Sequence, residues 1–205
     1  MRKLLVATHN QGKLREYRDL LAALLLDVTY LDAEGIDLQV DESGDSLEEN
    51  ARLKALTYAR LSGLWTWADD SGLEVDFLDG APGVYSARYA GPGASDADRY
   101  RKLLNALAGV PWERRTARFR CSVALATPEG LVRTADGACE GIIGFGPAGG
   151  NGFGYDPVFY IPGQAQTMAQ LAPEIKNRIS HRGLASQAAV PLLEEMLAQS
   201  DAGNS

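Results

Sequence analysis

Two adjacent carboxylates, Asp69 and Asp70, open the motif Asp-Asp-Ser-Gly and follow an apolar run that predicts a β-strand over residues 65–68. Neighbouring carboxylates repel each other unless a cation lies between them or their side chains point apart. Magnesium binds one or two carboxylates together with phosphate oxygens and water, and a carboxylate can also accept a proton from an attacking water. The motif is therefore consistent with a metal-dependent hydrolytic site, and equally with an Asx turn capped by Ser71.

A polar loop links the first predicted strand, residues 3–8, to the first predicted helix, residues 14–26. Backbone N–H groups at a helix N-terminus attract anions, and a lysine in the loop adds a full positive charge. The loop is not a Walker A motif, because it lacks the earlier glycine and the hydroxyl after the lysine. Phosphate binding and an ordinary strand-to-helix turn both remain open for these residues, which are Thr8, His9, Asn10, Gln11, Gly12 and Lys13.

A glycine-rich segment, residues 141–154, contains seven glycines and runs into the motif Phe153-Gly154-Tyr155-Asp156. The segment matches G-x-G-x-x-G, but Pro147 and the lack of a helix pattern after it argue against a dinucleotide site. An aromatic side chain on such a loop can stack on a nucleotide base. Simple packing of that side chain is the alternative.

Lys176 and the motif Ser180-His181-Arg182-Gly183 bring cations to the predicted start of the last helix. Positive charge there opposes the helix dipole and is tolerated best where an anion or polar ligand binds. A solvated helix cap is the alternative. Glu42 lies in an acidic stretch, residues 32–45, which by itself is typical of a solvated loop.

The elements that must position these residues follow from periodicity and capping patterns. Strands alternate with helices early in the chain and a hairpin comes late, which indicates an α/β protein with a mixed sheet. The expected elements are helices over 46–61, 95–107 and 183–197, a half-buried strand over 117–127 and its hairpin partner over 131–140.

The chain has 205 residues and a net charge of −7. This length favours one large domain or two closely packed lobes. The negative charge argues against a nucleic-acid polymer as partner, whereas a small anion needs only a local cluster of donors. Cys121 and Cys139 lack zinc-site spacing and are expected to be buried thiols. No segment has the length of a membrane span or the pattern of a secretory signal, so we expect no membrane contact and a cytoplasmic location.

Taken in order, these segments resemble the inosine triphosphate pyrophosphatase family. The similarity extends from Thr8 to Gly183. The matching pieces are residues 8–13, Glu49-Asn50-Ala51, Asp69-Asp70-Ser71-Gly72-Leu73, Gly80-Ala81-Pro82-Gly83, Tyr85-Ser86-Ala87-Arg88-Tyr89, Gly152-Phe153-Gly154-Tyr155-Asp156-Pro157 and Ser180-His181-Arg182-Gly183.

The resemblance implies an α/β fold with an elongated mixed β-sheet, flanking helices and two lobes around a deep substrate cleft. It implies a homodimer, in which each chain is a single domain over residues 1–205 with a tail frayed from about residue 199. It also implies magnesium-dependent cleavage of non-standard purine nucleoside triphosphates (dITP, ITP and XTP) between the α and β phosphates. A pyrophosphatase for modified pyrimidines and a non-catalytic nucleotide-binding regulator are the alternatives.

Roles for individual residues come from the same resemblance. Asp70 would be the catalytic carboxylate and a magnesium ligand, and Glu42 would be the second magnesium ligand. Ser71 would contact the substrate. Whether Asp69 shares the catalytic role of Asp70 stays open. His181 and Arg182 would donate to the 6-oxo group of the base. The remaining substrate-binding residues would be Thr8 to Lys13 on the phosphates, Phe153 to Asp156 over the base or sugar, and Lys176 on base or phosphates. His9 replaces a glycine that is frequent in the family, which bears on the shape and charge of the phosphate loop.

Overall fold

The structure is a computed structural model that describes residues 2–203, without the side chain of residue 201. Within these residues, eight strands form one sheet in the order β2-β1-β3-β5-β6-β7-β8, with β4 paired to β3. The strands are β1 (Lys3–Val6), β2 (Asp27–Tyr30), β3 (Trp65–Val75), β4 (Pro82–Gly83), β5 (Thr116–Ala126), β6 (Val132–Ile143), β7 (Phe159–Ile161) and β8 (Gln166–Thr167). β1 pairs parallel with β2 and β3, whereas β4, β7 and β8 pair antiparallel with their neighbours, so the predicted mixed sheet is confirmed.

Five helices accompany the sheet in the described part of the chain: α1 (Gln11–Leu20), α2 (Leu47–Ser62), α3 (Asp96–Ala106), α4 (Pro173–Ile179) and α5 (His181–Gly203). The side chain of Ser46 caps α2, and Gly63 ends it in the left-handed conformation at φ 67°. A reciprocal capping box of Ser95 and Asp98 starts α3. Both predicted capping residues therefore open helices, because each accepts a hydrogen bond from a backbone N–H that has no partner within the helix.

The chain divides into two compact units. The first unit runs to Asp70 and includes residues 121–137 and the chain from Arg182 onward. It has two apolar clusters: Trp67 packs in one with Tyr17 of α1 and Leu193 of α5, and Ala68 packs in the other with Ala55 of α2. Successive residues of a strand point to opposite faces of a sheet, so α2 covers one face of β3 and α1 with α5 covers the other.

The second unit comprises Ser71–Arg120 and Ala138–His181. Its core includes Leu103 of α3, Phe119 of β5 and Phe159 of β7. The rings of Phe119 and Phe159 lie 4.4 Å apart. This core supports the end of β6, from which the glycine-rich segment leaves the sheet. The predicted arrangement of two lobes around a deep cleft stays a prediction.

Several predicted boundaries were wrong. β3 does not end before the acidic motif but continues through it to Val75, and a short 3-10 helix follows at Asp76–Leu78. α1 begins three residues early because Asn10 caps it, and ends at Leu20.

Two further expectations changed at β5 and α5. The second half of β5 is buried on both faces, because small alanines let helices approach it. α5 begins at His181, and residues 199–203 continue it, whereas residues 204 and 205 of the predicted frayed tail lie outside the described part of the chain. Both cysteines are buried free thiols, as predicted.

Candidate active site

The acidic pair lies in the middle of β3, so its two side chains point to opposite faces of the sheet. The side chain of Asp70 faces α2, where its Oδ2 accepts a hydrogen bond from Asn50 at 3.0 Å. The side chain of Asp69 faces α1 and α5, where its Oδ2 lies 3.0 Å from the Nζ of Lys13. The repulsion expected between neighbouring carboxylates is thus relieved by separation as well as by cations.

Asp70 shares a lysine with Glu42. The Nζ of Lys54 lies 2.6 Å from Oε1 of Glu42 and 3.7 Å from Oδ1 of Asp70. Lys54 and Asn50 are four residues apart on α2 and therefore lie on one side of the helix, facing β3. Asn50 also accepts a hydrogen bond from the backbone of Gly44, which fixes the acidic stretch that carries Glu42. The structure therefore brings together the two carboxylates predicted as metal ligands.

Burial raises the pKa of Asp70 above its usual value, and the nearby carboxylate of Glu42 acts in the same direction. Lys54 and Lys13 oppose this shift without cancelling it. Burial by itself lowers the pKa of Lys54, but the surrounding carboxylates outweigh it and keep the ammonium charged. The result is a buried carboxylate with an increased affinity for protons beside a permanent positive charge.

Asp69 has the opposite electrostatic character. Burial alone would raise the pKa of this carboxyl, but Lys13, Arg182 and Lys54 outweigh burial and lower the pKa well below its usual range. Nε and Nη2 of Arg182 donate to Oδ2 of Asp69 at 3.3 and 3.2 Å, and Nη1 donates to Glu16 at 2.6 Å. Asp69 is thus a fixed anion held between the phosphate loop and α5.

The predicted phosphate loop forms the N-terminus of α1. Oδ1 of Asn10 accepts hydrogen bonds from the backbone N–H groups of Gly12 and Lys13 at 2.8 and 3.1 Å, and Oγ1 of Thr8 accepts one from the N–H of Asn10. The ring of His9 lies between the carbonyl of Leu38, 3.2 Å from Nε2, and the carboxylate of Asp32, 3.4 Å from Nδ1. The loop is therefore pre-formed, with its asparagine occupying the position that an anion takes in other helix N-termini.

In the second unit, the structure brings together the predicted residues Asp156, Lys176 and Phe153. Nζ of Lys176 lies 2.6 Å from Oδ2 of Asp156, and both side chains are buried. The same oxygen accepts the backbone N–H of Phe153 at 2.9 Å, and the ammonium of Lys176 lies 5.2 Å from the Phe153 ring. A Cβ at Gly152 would lie 2.0 Å from this oxygen, so only glycine fits there.

Two other predicted positions have structural partners in the same unit. The ring of His181 is stacked on Phe119 at 4.6 Å between centroids. The hydroxyl of Tyr155 donates to the carbonyl of Ser86 at 2.9 Å, so the side chain of Tyr155 is packed in the core. Ser71 is half-buried within β3. Contact of Ser71, His181 and Arg182 with substrate stays a prediction.

Asp70 and Glu42 suit a hard divalent cation, because both offer carboxylate oxygens and both already lie around one positive charge, the ammonium of Lys54. Within residues 2–203, no group of three or more potential protein ligands is arranged to hold a metal ion. Magnesium does not require such a group, since it binds through one or two carboxylates and completes its shell with phosphate oxygens and water. The donor set therefore fits magnesium brought by a polyphosphate.

Three participants were not assigned a role from the sequence: Asn50, Lys54 and Glu16. Asn50 and Lys54 have the i, i+4 spacing of a helix face, but α2 is amphipathic and its polar positions do not show which of them are buried. Glu16 lies three residues after Lys13, which places both on one side of α1. The sequence signal that could have found these residues is helical spacing: Lys54 follows Asn50 of the matching motif by four residues, and Glu16 follows Lys13 by three.

The fold and this site define the protein's class: an α/β protein with two buried carboxylates beside lysines that suit an anionic ligand. The sequence model of the Ham1 family matches residues 4–192. The chain is 48% identical over 194 residues to the dITP/XTP pyrophosphatase of Desulforamulus reducens, covering 95% of this chain and 96% of that protein. It is 43% identical to the dITP/XTP pyrophosphatase of Bacillus subtilis, covering 95% and 98% of the two chains.

Solved structures agree with the sequence comparison. A HAM1 protein from Coxiella burnetii superposes with a TM-score of 0.86 at 40% identity, covering 95% of this chain and all of that one. The Ham1 protein of Staphylococcus aureus gives a TM-score of 0.81 at 39% identity, with 97% and 100% covered. The chain belongs to the Ham1 family, which confirms the resemblance found in its motifs. Among the described residues, no helix combines the length and apolar character needed to cross a membrane.

Proposed function

We propose that this protein hydrolyses the non-standard purine nucleoside triphosphates dITP, ITP and XTP to the monophosphate and pyrophosphate, and so removes them from the nucleotide pool. The observation that carries the proposal is the buried Asp70, whose raised pKa and position beside Lys54 suit a general base next to a polyphosphate. The names of the Desulforamulus reducens and Bacillus subtilis relatives support dITP and XTP among these substrates.

In the proposed reaction, the bond between the α phosphate and the oxygen leading to the β phosphate breaks as water adds to phosphorus. Asp70 accepts the proton of that water, because its carboxylate has the greater proton affinity of the acidic pair. Asp69 stays ionised and positions Lys13, so the proton acceptor is assigned to Asp70 alone. Lys13 and Lys54 stabilise negative charge that develops on the phosphates. Magnesium, when bound, supplies further charge neutralisation of the triphosphate.

The glycine-rich segment and its neighbours are assigned to the nucleoside. Phe153 lies beside the Asp156–Lys176 pair, which supplies charged groups next to an aromatic surface. We assign Phe153 to Asp156 to the base or sugar, with Lys176, His181 and Arg182 as the donors that favour a 6-oxo purine. Adenine presents an amino group at that position, which cannot accept a hydrogen bond from such donors, so an adenine nucleotide would be bound less well.

The experiment that tests the bond cleaved is product analysis. With dITP and Mg²⁺, we expect pyrophosphate and dIMP in equal amounts, without dIDP or inorganic phosphate as early products. Release of inorganic phosphate together with dIDP would instead place cleavage between the β and γ phosphates and contradict the proposal.

Glu42→Gln is expected to weaken the response to magnesium. The substitution keeps the size of the side chain but removes the charge of one of the two proposed ligands, and loss of groups that organise a metal site typically costs about 10–100-fold in metal affinity. Titration of pyrophosphate release with Mg²⁺ should show half-saturation at a concentration at least about tenfold higher.

The matched control is Asp41→Asn, which removes an exposed charge from the neighbouring position of the same acidic stretch. Its magnesium response should equal that of the wild type. An unchanged magnesium titration for Glu42→Gln would remove Glu42 from the metal site.

The homodimer and the cytoplasmic location are further parts of the proposal, supported by the family resemblance. Light scattering in solution should give about twice the chain mass of 22.0 kDa. A mass equal to that of one chain would contradict the dimer. Fractionation of cells that express the protein should recover it with the cytoplasmic proteins, and recovery in the membrane or secreted fraction would contradict the location.

A further inference from the structure

Arg115 joins the end of α3 to the start of the glycine-rich loop. Its side chain is 2% exposed. Nε donates to the carbonyl of Ile143 at 2.7 Å and Nη2 to that of Gly144 at 2.7 Å, while Nη1 donates to the carbonyl of Leu107 at 2.9 Å. Leu107 is the C-cap residue that directly follows α3, where unpaired carbonyls and the helix dipole favour a positive charge. One buried guanidinium therefore ties the C-terminus of α3 to the point where the glycine-rich segment leaves β6.

The other end of α3 holds the other end of the same segment. Asp96 is the first residue of α3, and its Oδ2 accepts a hydrogen bond from the backbone N–H of Gly154 at 2.7 Å. Gly154 is in the left-handed region at φ 64° and is the last residue of the segment. The preceding residue is Phe153, whose ring lies beside the ammonium of Lys176. α3 is thus bonded to both ends of a segment whose last residues carry the proposed nucleoside contacts.

A segment with so many glycines needs external restraints to keep one conformation, because glycine loses more conformational freedom on ordering than any other residue. Its middle is held separately: the backbone N–H of Asn151 donates to the carbonyl of Ala169 at 3.0 Å, and its side chain donates to the carbonyl of Leu171 at 3.1 Å. At the two ends, the N–H of Gly144 donates to the carbonyl of Val158 at 2.8 Å and the N–H of Phe153 donates to Asp156 at 2.9 Å. The bonds of Arg115 and Asp96 add a further restraint at each end. Loss of the Asp96 or Arg115 bond would leave Phe153 and the backbone around it with fewer restraints beside the Asp156–Lys176 pair.

We propose that α3 fixes the geometry of the nucleoside-binding segment from both ends, and that Asp96 and Arg115 are positioning residues that determine purine selectivity. This inference rests on the proposed function. Asp96 and Arg115 act through the backbone of Gly154 and Gly144, so their loss changes how well the base is held and not how the phosphate bond is cleaved. The expected effect lies mainly in KM and in the ratio of dITP to dATP turnover, with kcat little changed.

The chain offers a matched pair of substitutions for the test. Asp96 and Asp98 both lie in the first turn of α3, and each pairs with an arginine three residues later, Arg99 and Arg101. Asp98 belongs to the capping box, whereas Asp96 is the one that accepts from Gly154. Asp96→Ala and Asp98→Ala therefore remove similar charges from the helix, but only the first releases the segment.

We expect Asp96→Ala to raise KM for dITP about tenfold and to reduce the preference for dITP over dATP by a similar factor, since displacement of a binding group by about 1 Å can cost up to 10²-fold. Asp98→Ala should leave both values unchanged, although it lowers the thermal midpoint. Asp96→Asn should restore selectivity, because its amide oxygen can still accept from Gly154. Amide hydrogen exchange should show faster exchange across residues 144–154 in Asp96→Ala and not in Asp98→Ala.

The outcomes separate the inference from the proposed function. A wild-type protein that releases pyrophosphate from dITP, together with equal KM and equal selectivity in the two alanine variants, overturns the role of α3 alone. A wild-type protein that releases no pyrophosphate overturns the proposed function and the selectivity role with it. Arg115→Lys provides a second variant at the opposite end of α3, because one ammonium cannot reach all of the carbonyls that the planar guanidinium holds.

Discussion

Asp70→Asn is expected to lower kcat for dITP by about 10²–10⁴-fold, the contribution typical of a single essential acid–base group. The asparagine keeps the shape of the side chain and the possibility of a hydrogen bond with Asn50, but it cannot accept a proton from water. Single-turnover measurements at saturating Mg²⁺ and dITP give the effect on chemistry directly. A variant that keeps more than about a tenth of the wild-type kcat contradicts the role of Asp70 as general base.

The same variant supplies its own control for folding. Because the pKa of Asp70 is raised, the folded state favours the neutral form, so the stability that this group contributes is present at low pH and is lost as pH rises through its folded pKa. Asparagine resembles the neutral form at every pH. In EDTA at pH 8, the thermal midpoint of Asp70→Asn should equal or exceed that of the wild type, and a lower midpoint would trace the loss of activity to damaged folding.

Arg182→Met is expected to reduce the free energy of unfolding by about 3–5 kcal/mol, the usual cost of removing one partner from a buried ion pair. The guanidinium is fully buried in the first unit and contacts both Asp69 and Glu16. Its removal leaves the carboxylate of Asp69 with less compensation. Urea unfolding followed by circular dichroism measures the change.

Arg101→Met is the matched control, since Arg101 pairs with Asp98 at 3.7 Å on an exposed face of α3. Exposed pairs of this kind contribute about 0–1 kcal/mol, so this variant should unfold at nearly the wild-type concentration of urea. Equal stability of Arg182→Met and Arg101→Met would show that the buried contacts of Arg182 are energetically neutral. A change in the preference for ITP over ATP in Arg182→Met would support a contact of this arginine with the base in addition.

The stabilising effect of Asp69 also depends on pH. Its folded pKa lies below the ordinary value of about 3.9 for an unfolded aspartate, so its contribution is complete above that pH and is lost as pH falls toward the folded pKa. Part of the acid sensitivity of the wild type therefore comes from this carboxylate. Arg182→Met weakens the interaction that lowers the pKa, and should flatten the dependence of stability on pH below about pH 4.

The mixed sheet, the capped helices and the acidic and basic motifs could be predicted from the sequence because each has a local signal. Ser46 and Ser95 mark helix starts through chemistry confined to one turn, and the alternation along β5 marks a strand. The path of β3 through the acidic motif could not be predicted in this way. Gly72 and the carboxylates are typical of a turn, whereas the place of β3 between β1 and β5, its pairing with β4 and the burial of Leu73 keep this part of the chain extended.

The sequence predicted those residues of the candidate site that belong to charged motifs. It did not predict the residues whose place in the site depends on tertiary contacts. Asp70 and Lys13 stand out by residue type, and Glu42 was added by the family resemblance. Lys54 is one of several polar residues on α2 and acquires its position by facing β3. Arg182 was assigned to the base from the family resemblance. The structure adds a different use of its guanidinium, which is bound to carboxylates from α1 and β3. Partners so distant in sequence leave no local pattern.

The most direct test of the central claim is pyrophosphate release from a panel of dITP, XTP, ITP, dATP, GTP and dTTP, measured with Mg²⁺ and with EDTA. We expect magnesium-dependent release from dITP, XTP and ITP, with little from the other three. Release from all six nucleotides would contradict the assignment of the base-binding residues, and tight nucleotide binding without any magnesium-dependent release would contradict catalysis and point to a nucleotide-binding regulator.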